Sequence, residues 1–120
     1  MANRKKILYI ANTTPFANPI ARENLDLMMM LASFEVDVSI LFIDNGVLQL
    51  LNTDNEEIQA RAFSPVLKSF EHYEINKLYA LDSALAQFGI DAKQLIIETK
   101  IISESQVSEL IHQFDYVFKG

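Results

Sequence analysis

Cysteine is absent from all 120 residues. Without a thiol the chain can form no disulfide, no cysteine-ligated zinc or iron–sulfur site, and no persulfide of its own. Glycine is scarce as well: Gly46, Gly89 and Gly120 are the whole supply. Three scattered glycines exclude both a G-x-G-x-x-G dinucleotide fingerprint and a P-loop. The two histidines, His72 and His112, each lack a ligand-spaced neighbour, so a surface or half-buried role outweighs metal ligation. Ser33, Ser64 and Ser83 stand outside any G-x-S-x-G elbow, which leaves nucleophilic serine chemistry without support. Positive charge is in deficit, with 10 Lys and Arg against 16 Asp and Glu and a formal net charge of −6. That balance argues against a broad phosphate-binding face and against direct capture of nucleic acid.

What is present is a good supply of core. Half the residues are hydrophobic and 22% are charged, so global disorder is not expected, and residues 1–120 fit a single compact domain. Arg4-Lys5-Lys6 before the apolar run Ile7–Ala11 mimics the start of a signal peptide. The run is too short for one, and Asn12-Thr13-Thr14-Pro15 ends it. No stretch approaches the roughly 20 apolar residues of a membrane span. A cytoplasmic location is the expectation.

Along the chain, apolar runs alternate with helical patterns. Ile7–Ala11 reads as a strand buried on both faces. The polar loop 12–19 follows, and then Ile20–Phe34, rich in Leu, Met and Ala, reads as a helix. Val36–Ile43 is β-branched and predicts a second strand, closed by the turn signal Asp44-Asn45-Gly46. Val47–Leu51 predicts a helical turn, Asn52–Asn55 a loop, and Glu56–Phe70 a helix broken near Ser64-Pro65. Lys77–Leu81 predicts a third strand and Ser83–Phe88 a helix stopped by Gly89. Leu95–Thr99 predicts a fourth strand, Ser105–Phe114 a helix capped by Ser103 or Ser105, and Tyr116-Val117-Phe118 a last strand. Strands alternating with helices imply an α/β fold: a three-layer α/β/α arrangement around a mostly parallel five-stranded sheet.

Few residues invite chemistry. Thr13 and Thr14 in the loop after the first strand could offer hydroxyls to an anion, but no glycine there lets the backbone wrap one. Asn12 stands where a receiver domain needs an acid, and Asp44 follows the second strand, which excludes that class. Glu23 and Asp26, with Arg22 nearby, read as a solvated helix face with local ion pairs before they read as paired acid–base carboxylates. Two apolar stretches stand out. Leu25–Leu31 places Leu25, Met28 and Met29 on one helical face, with Leu27, Met30 and Leu31 around the rest. Val47-Leu48-Gln49-Leu50-Leu51 puts four large apolar side chains just after a turn. Each stretch is either core or a partner surface. The Met run leans to core. Val47–Leu51 leans to interface, because a short segment between polar loops has little core to reach.

Four segments carry a resemblance. They are Arg22-Glu23-Asn24-Leu25-Asp26, the run Phe42-Ile43-Asp44-Asn45-Gly46-Val47-Leu48-Gln49-Leu50-Leu51, Gly89-Ile90-Asp91, and Asp115-Tyr116-Val117. In these the chain resembles the small DsrE/DsrF/DsrH-like proteins, above all the TusC (DsrF) branch, whose signature is the G-V-x-Q-L-L segment Gly46–Leu51. One departure is plain: the pattern has an acid immediately before that glycine, whereas here Asn45 fills the place and Asp44 precedes it. The resemblance implies a subunit of a TusBCD-type hetero-oligomer with TusB-like and TusD-like paralogues. Such a complex passes persulfide sulfur from a TusA-like to a TusE-like carrier, toward the 2-thio group of a tRNA wobble uridine. Related DsrEFH complexes serve sulfur oxidation. In the TusD-like subunit the sulfur-carrying cysteine sits just after the third strand, and the matching residues here, about Ala80-Leu81-Asp82, contain no thiol. No catalytic, cofactor-binding or metal-binding residue carries over, and a role as a non-catalytic subunit is what the resemblance implies. The candidate interface is then Val47, Leu48, Gln49, Leu50 and Leu51, with Met28 and Met29. A reading of another class, a free-standing α/β enzyme or ligand-binding domain using the rim 12–19 and Asp44, stays open at this point.

Overall fold

The computed structural model describes residues 4–14, 20–51, 67–75 and 77–120. Five strands form one parallel sheet: β1 (Lys6–Ala11), β2 (Asp37–Phe42), β3 (Lys77–Leu81), β4 (Lys100–Ile102) and β5 (Tyr116–Lys119). Their spatial order is β4-β3-β2-β1-β5, so β4 and β5 are the edges. Helices α1 (Ile20–Ala32), α2 (Asp82–Gln87) and α3 (Glu104–Ile111) link them, together with 3₁₀ segments at Asp44–Leu50, Ser69–Tyr73 and Ala92–Gln94.

Strand alternation sorts the core onto two faces. Tyr9, Ala11, Val38, Ile40, Phe42, Leu78 and Ala80 meet α1, α2 and the first two 3₁₀ segments. Leu8, Ile10, Leu41 and Ile102 meet Leu110 of α3 on the other face. This is the expected three-layer α/β/α arrangement. Helix α1 turns Ala21, Leu25, Met28 and Ala32 to the sheet at helical spacing. Its Arg22 pairs with Asp26 at 3.3 Å, one turn on, while Glu23 faces solvent. Those carboxylates therefore form the solvated helix face expected of them.

One predicted strand moves. Leu95–Thr99 is irregular, and the strand that pairs with β3 is Lys100–Ile102, with Tyr79 opposite Lys100. The apolar run has another use. Leu95, Ile96 and Ile97 lie half-buried over the core, and the Ile96 N–H donates to the Leu50 carbonyl at 3.0 Å. Burial made these residues apolar, and the pattern of burial was mistaken for that of a strand. The loop Asn52–Asn55 and residues 56–66 of the expected helix Glu56–Phe70 lie outside the described residues.

Helix ends follow local chemistry. The Ser103 N–H donates to the Gln106 side chain at 2.8 Å, one arm of a capping box that starts α3. Gly89 ends α2 in the left-handed region at φ 64°. There the Ile90 N–H reaches the Leu85 carbonyl and the Gly89 N–H reaches Ala86, the Schellman pattern. A Cβ on Gly89 would meet nothing within 4 Å. Gly89→Ala is therefore expected to cost only the backbone strain of an L-residue in that region, about 1–2 kcal/mol, read from a urea unfolding curve.

Candidate functional site

All five strands are parallel, so their carboxyl ends share one rim, and ligands of open α/β sheets bind there where the strand order reverses. In this chain the order reverses between β1 and β5. The 3₁₀ segment Asp44–Leu50 occupies that rim. It leaves β2, with the Ile43 N–H bonded to the Ala11 carbonyl at 3.0 Å and the Gly46 N–H to the Ile43 carbonyl at 2.8 Å. Gly46 lies directly on the end of β1, where a Cβ would collide with the carbonyl of Ala11. This contact explains the glycine of the signature: its backbone is not left-handed, and what it lacks is room.

The close approach sets the fate of the residues that follow. Val47 and Leu50, three apart and so stacked on one side of a 3₁₀ turn, are fully buried in the core with α2 and β3. Gln49 is fully buried too; its Nε2 donates to the Thr13 carbonyl at 2.8 Å and ties the segment to the loop after β1. Its Oε1 is buried with no hydrogen-bond partner among the described residues. Asn45 is exposed, Leu48 is half-buried on the outward side, and Leu51 is half-buried just beyond the turn. Asp44 is exposed at φ 49°.

Of the sequence-predicted interface residues, Val47, Gln49, Leu50 and Met28 are thus covered by their own chain and have no surface left for a partner. Leu48, Leu51 and Met29 keep exposed area. The premise that the segment had little core to reach fails because Gly46 lets it lie against the sheet. The three-residue spacing of Val47 and Leu50 behind a glycine was the available signal.

Gly46 and the Gln49 side chain pack against the end of β1 and the start of the loop that follows it. Residues 15–19 of the loop lie outside the described residues. Two hollows lie at the opposite, amino end of the strands. One of about 500 Å³ is lined by Lys77, Tyr79, Glu98 and Lys100, and one of about 420 Å³ by Arg4, Glu35, His72 and Glu74. At the end of β3, Ala80 and Leu81 are buried, and Asp82 follows, exposed, as the first residue of α2. The signature segment packs against both β3 and α2.

Beneath the rim, Tyr9 is fully buried and its hydroxyl donates to the Gly120 carbonyl at 3.2 Å. Burial pushes its phenol above the ordinary value, and a hydrogen bond with the Asn24 side chain pulls part of the way back. A folded pKa raised above the unfolded value of about 10 gives stability that is complete below that pH and is lost as pH rises through it. Tyr9→Phe is therefore expected to cost about 1 kcal/mol at pH 8 for the lost hydrogen bond. It should also flatten the fall in stability above about pH 10, as seen in urea midpoints across that range.

A family model described as the DsrE/DsrF-like family matches residues 5–119. The chain is 28% identical over 109 residues to a protein named TusC homolog of Vibrio parahaemolyticus, covering 90% of this chain and 92% of that one. It is 30% identical over 129 aligned positions to the intracellular sulfur oxidation protein DsrF of Allochromatium vinosum, covering 95% of each. Among solved structures it is similar in fold to the ychN protein of E. coli, with a TM-score of 0.83 at 17% identity over 97% of this chain and 99% of that one.

Proposed function

This chain belongs to the DsrE/DsrF-like family, and from that premise we propose that it serves as a non-catalytic subunit of a cytoplasmic sulfur-relay complex. It stands beside TusB-like and TusD-like paralogues in a hetero-oligomer and supports the sister that carries sulfur between TusA-like and TusE-like proteins. The sulfur ends as the 2-thio group of a tRNA wobble uridine.

The observation that carries this reading is the absence of cysteine from a chain whose relatives include a TusC homolog and an intracellular sulfur oxidation protein. A persulfide is relayed by thiolate attack on sulfane sulfur, which leaves that sulfur on a new cysteine. This chain has none, and the thioethers of Met28, Met29 and Met30 cannot form a persulfide. The DsrF-named relative favours a second destination for the sulfur, a DsrEFH-type complex in sulfur oxidation.

Deletion of this chain with its sisters left in place separates the possibilities. Loss of wobble-uridine 2-thiolation, restored by the intact chain, supports the tRNA route. Full thiolation in the deletion strain, with loss of sulfur oxidation, supports the other. No effect on either removes the scaffold role.

A further inference from the structure

One peptide bond in the rim segment has a chemistry of its own. Asparagine followed by glycine is the pair most prone to lose its side-chain amide, because glycine has no Cβ to shield the backbone nitrogen that attacks. Of the asparagines in the chain, only Asn45 precedes a glycine. Asn45 is exposed, and Gly46 beside it is buried. The chain cannot remove this hazard at position 46, because any Cβ there would collide with the Ala11 carbonyl. The missing Cβ that seats the segment on β1 also leaves the nitrogen open to reaction.

The reaction balances with water alone. The Gly46 nitrogen gives up its proton and bonds to Cγ of Asn45, and Nδ2 leaves as ammonia. A five-membered succinimide remains. Water then opens it at one of its two carbonyls. Attack at Cγ returns the ordinary backbone with an aspartate side chain. Attack at the main-chain carbonyl leaves isoaspartate, in which the backbone runs through Cβ and Cγ and is longer by one methylene. Either product carries a carboxylate in place of the amide, and nothing is oxidised or reduced.

The fold holds that reaction back. Ring closure needs the Gly46 nitrogen free to lose its proton, and it needs the Asn45 backbone turned out of the helical region so that the nitrogen meets Cγ. In the structure the Gly46 N–H is committed to the Ile43 carbonyl at 2.8 Å. Asn45 lies inside the 3₁₀ run Asp44–Leu50, whose compact backbone keeps that nitrogen out of line with the Asn45 side chain. Val47, Gln49 and Leu50 are buried beyond it and pin the run in place. The nitrogen is released only when the segment lifts from β1, a local opening that need not unfold the rest.

We propose that Asn45-Gly46 is a latent modification site, sealed while the 3₁₀ segment lies on β1 and converted to aspartate and isoaspartate when it lifts. Isoaspartate then makes the opening permanent. Its extra backbone carbon falls between Ile43, whose carbonyl the Gly46 N–H reaches, and Gly46, which lies on the Ala11 carbonyl. The longer backbone disturbs both contacts, and Val47 and Leu50 lose their seat in the core with them. Aspartate keeps the backbone length and adds only a charge at an exposed position. The inference owes nothing to sulfur transfer and is tested apart from it.

The full chain is incubated at mildly alkaline pH in water labelled with heavy oxygen, folded or in urea, and its peptides are read by mass spectrometry. Label should enter position 45 at least tenfold faster in urea than in the folded chain, and there ahead of every other asparagine. Gln49→Ala removes the bond to the Thr13 carbonyl and leaves the reacting pair intact. It should raise the rate in the folded chain several-fold. If that variant unfolds, the comparison of folded and unfolded wild-type chain still decides. After conversion in urea and refolding, the isoaspartate form should unfold at lower urea than the unconverted chain, whereas Asn45→Asp should unfold with it. Equal rates in the folded and unfolded chain, or a folded Gln49→Ala variant no faster than wild type, overturn the seal. Faster loss at another asparagine in urea overturns the site. An isoaspartate form as stable as Asn45→Asp overturns the permanent opening.

Discussion

Gly46→Ala is expected to destabilise the chain by about 3 kcal/mol or more, near the upper end of the range for overpacked sites. The added Cβ would meet the carbonyl oxygen and carbon of Ala11, and both are backbone. Neither can swing aside as a side-chain tip would. The Ala11 carbonyl accepts from Ile43 and Ala11 lies in register with Phe42 inside the sheet, so a retreat breaks the ladder. If the 3₁₀ segment retreats instead, Val47 and Leu50 leave the core and Gln49 loses the Thr13 carbonyl. Gly89→Ala is the internal control, since there the space is open and only the left-handed backbone objects. Urea unfolding should rank Gly46→Ala clearly above Gly89→Ala; the reverse order would mean the segment is not seated on β1.

The second large effect falls on assembly. Leu48 and Leu51 keep exposed area on the outward side of a segment whose other apolar residues are core. Replacing both with aspartate should weaken retention of the sister subunits by two or more orders of magnitude. Full burial of a leucine is worth about 1.5–3 kcal/mol. Half-buried leucines contribute less, and the cost of bringing two carboxylates into a dry contact adds to the loss. The isolated chain should lose at most about 1 kcal/mol, because these side chains supply little of its core. Co-purification of tagged sisters with the variant reads the first effect and urea unfolding the second. Undiminished retention would place the contact elsewhere. Unfolding would make the two leucines part of the core after all.

Much of this was legible from the chain before its structure, and the reasons are physical. Ile7–Ala11 was readable as a strand because a central strand of a parallel sheet is covered on both faces and shows it as an unbroken apolar run, and Leu78–Leu81 shows the same after the exposed Lys77. Gly89 declared the end of α2 because left-handed helix ends favour that residue. Leu95–Thr99 was misread because half-buried loop residues and short strands share a composition, and only hydrogen bonding separates them. The rim segment was recognisable as a signature, yet its mechanics were not. That Gly46 needs room against Ala11, and that Gln49 reaches the Thr13 carbonyl, are contacts between residues more than thirty positions apart. No local pattern encodes such pairs. The edge of β5 lay between the two cases: its apolar residues were visible, but not that they end the sheet.

The most direct test of the non-catalytic assignment follows sulfur itself. The complex is loaded with labelled persulfide, its subunits are separated without reductant, and the mass shift of each is measured. The sulfur adduct should appear on a cysteine-bearing sister, and this chain should retain its unmodified mass through every cycle of loading and discharge. A covalent sulfur adduct on any residue of this chain would contradict the account.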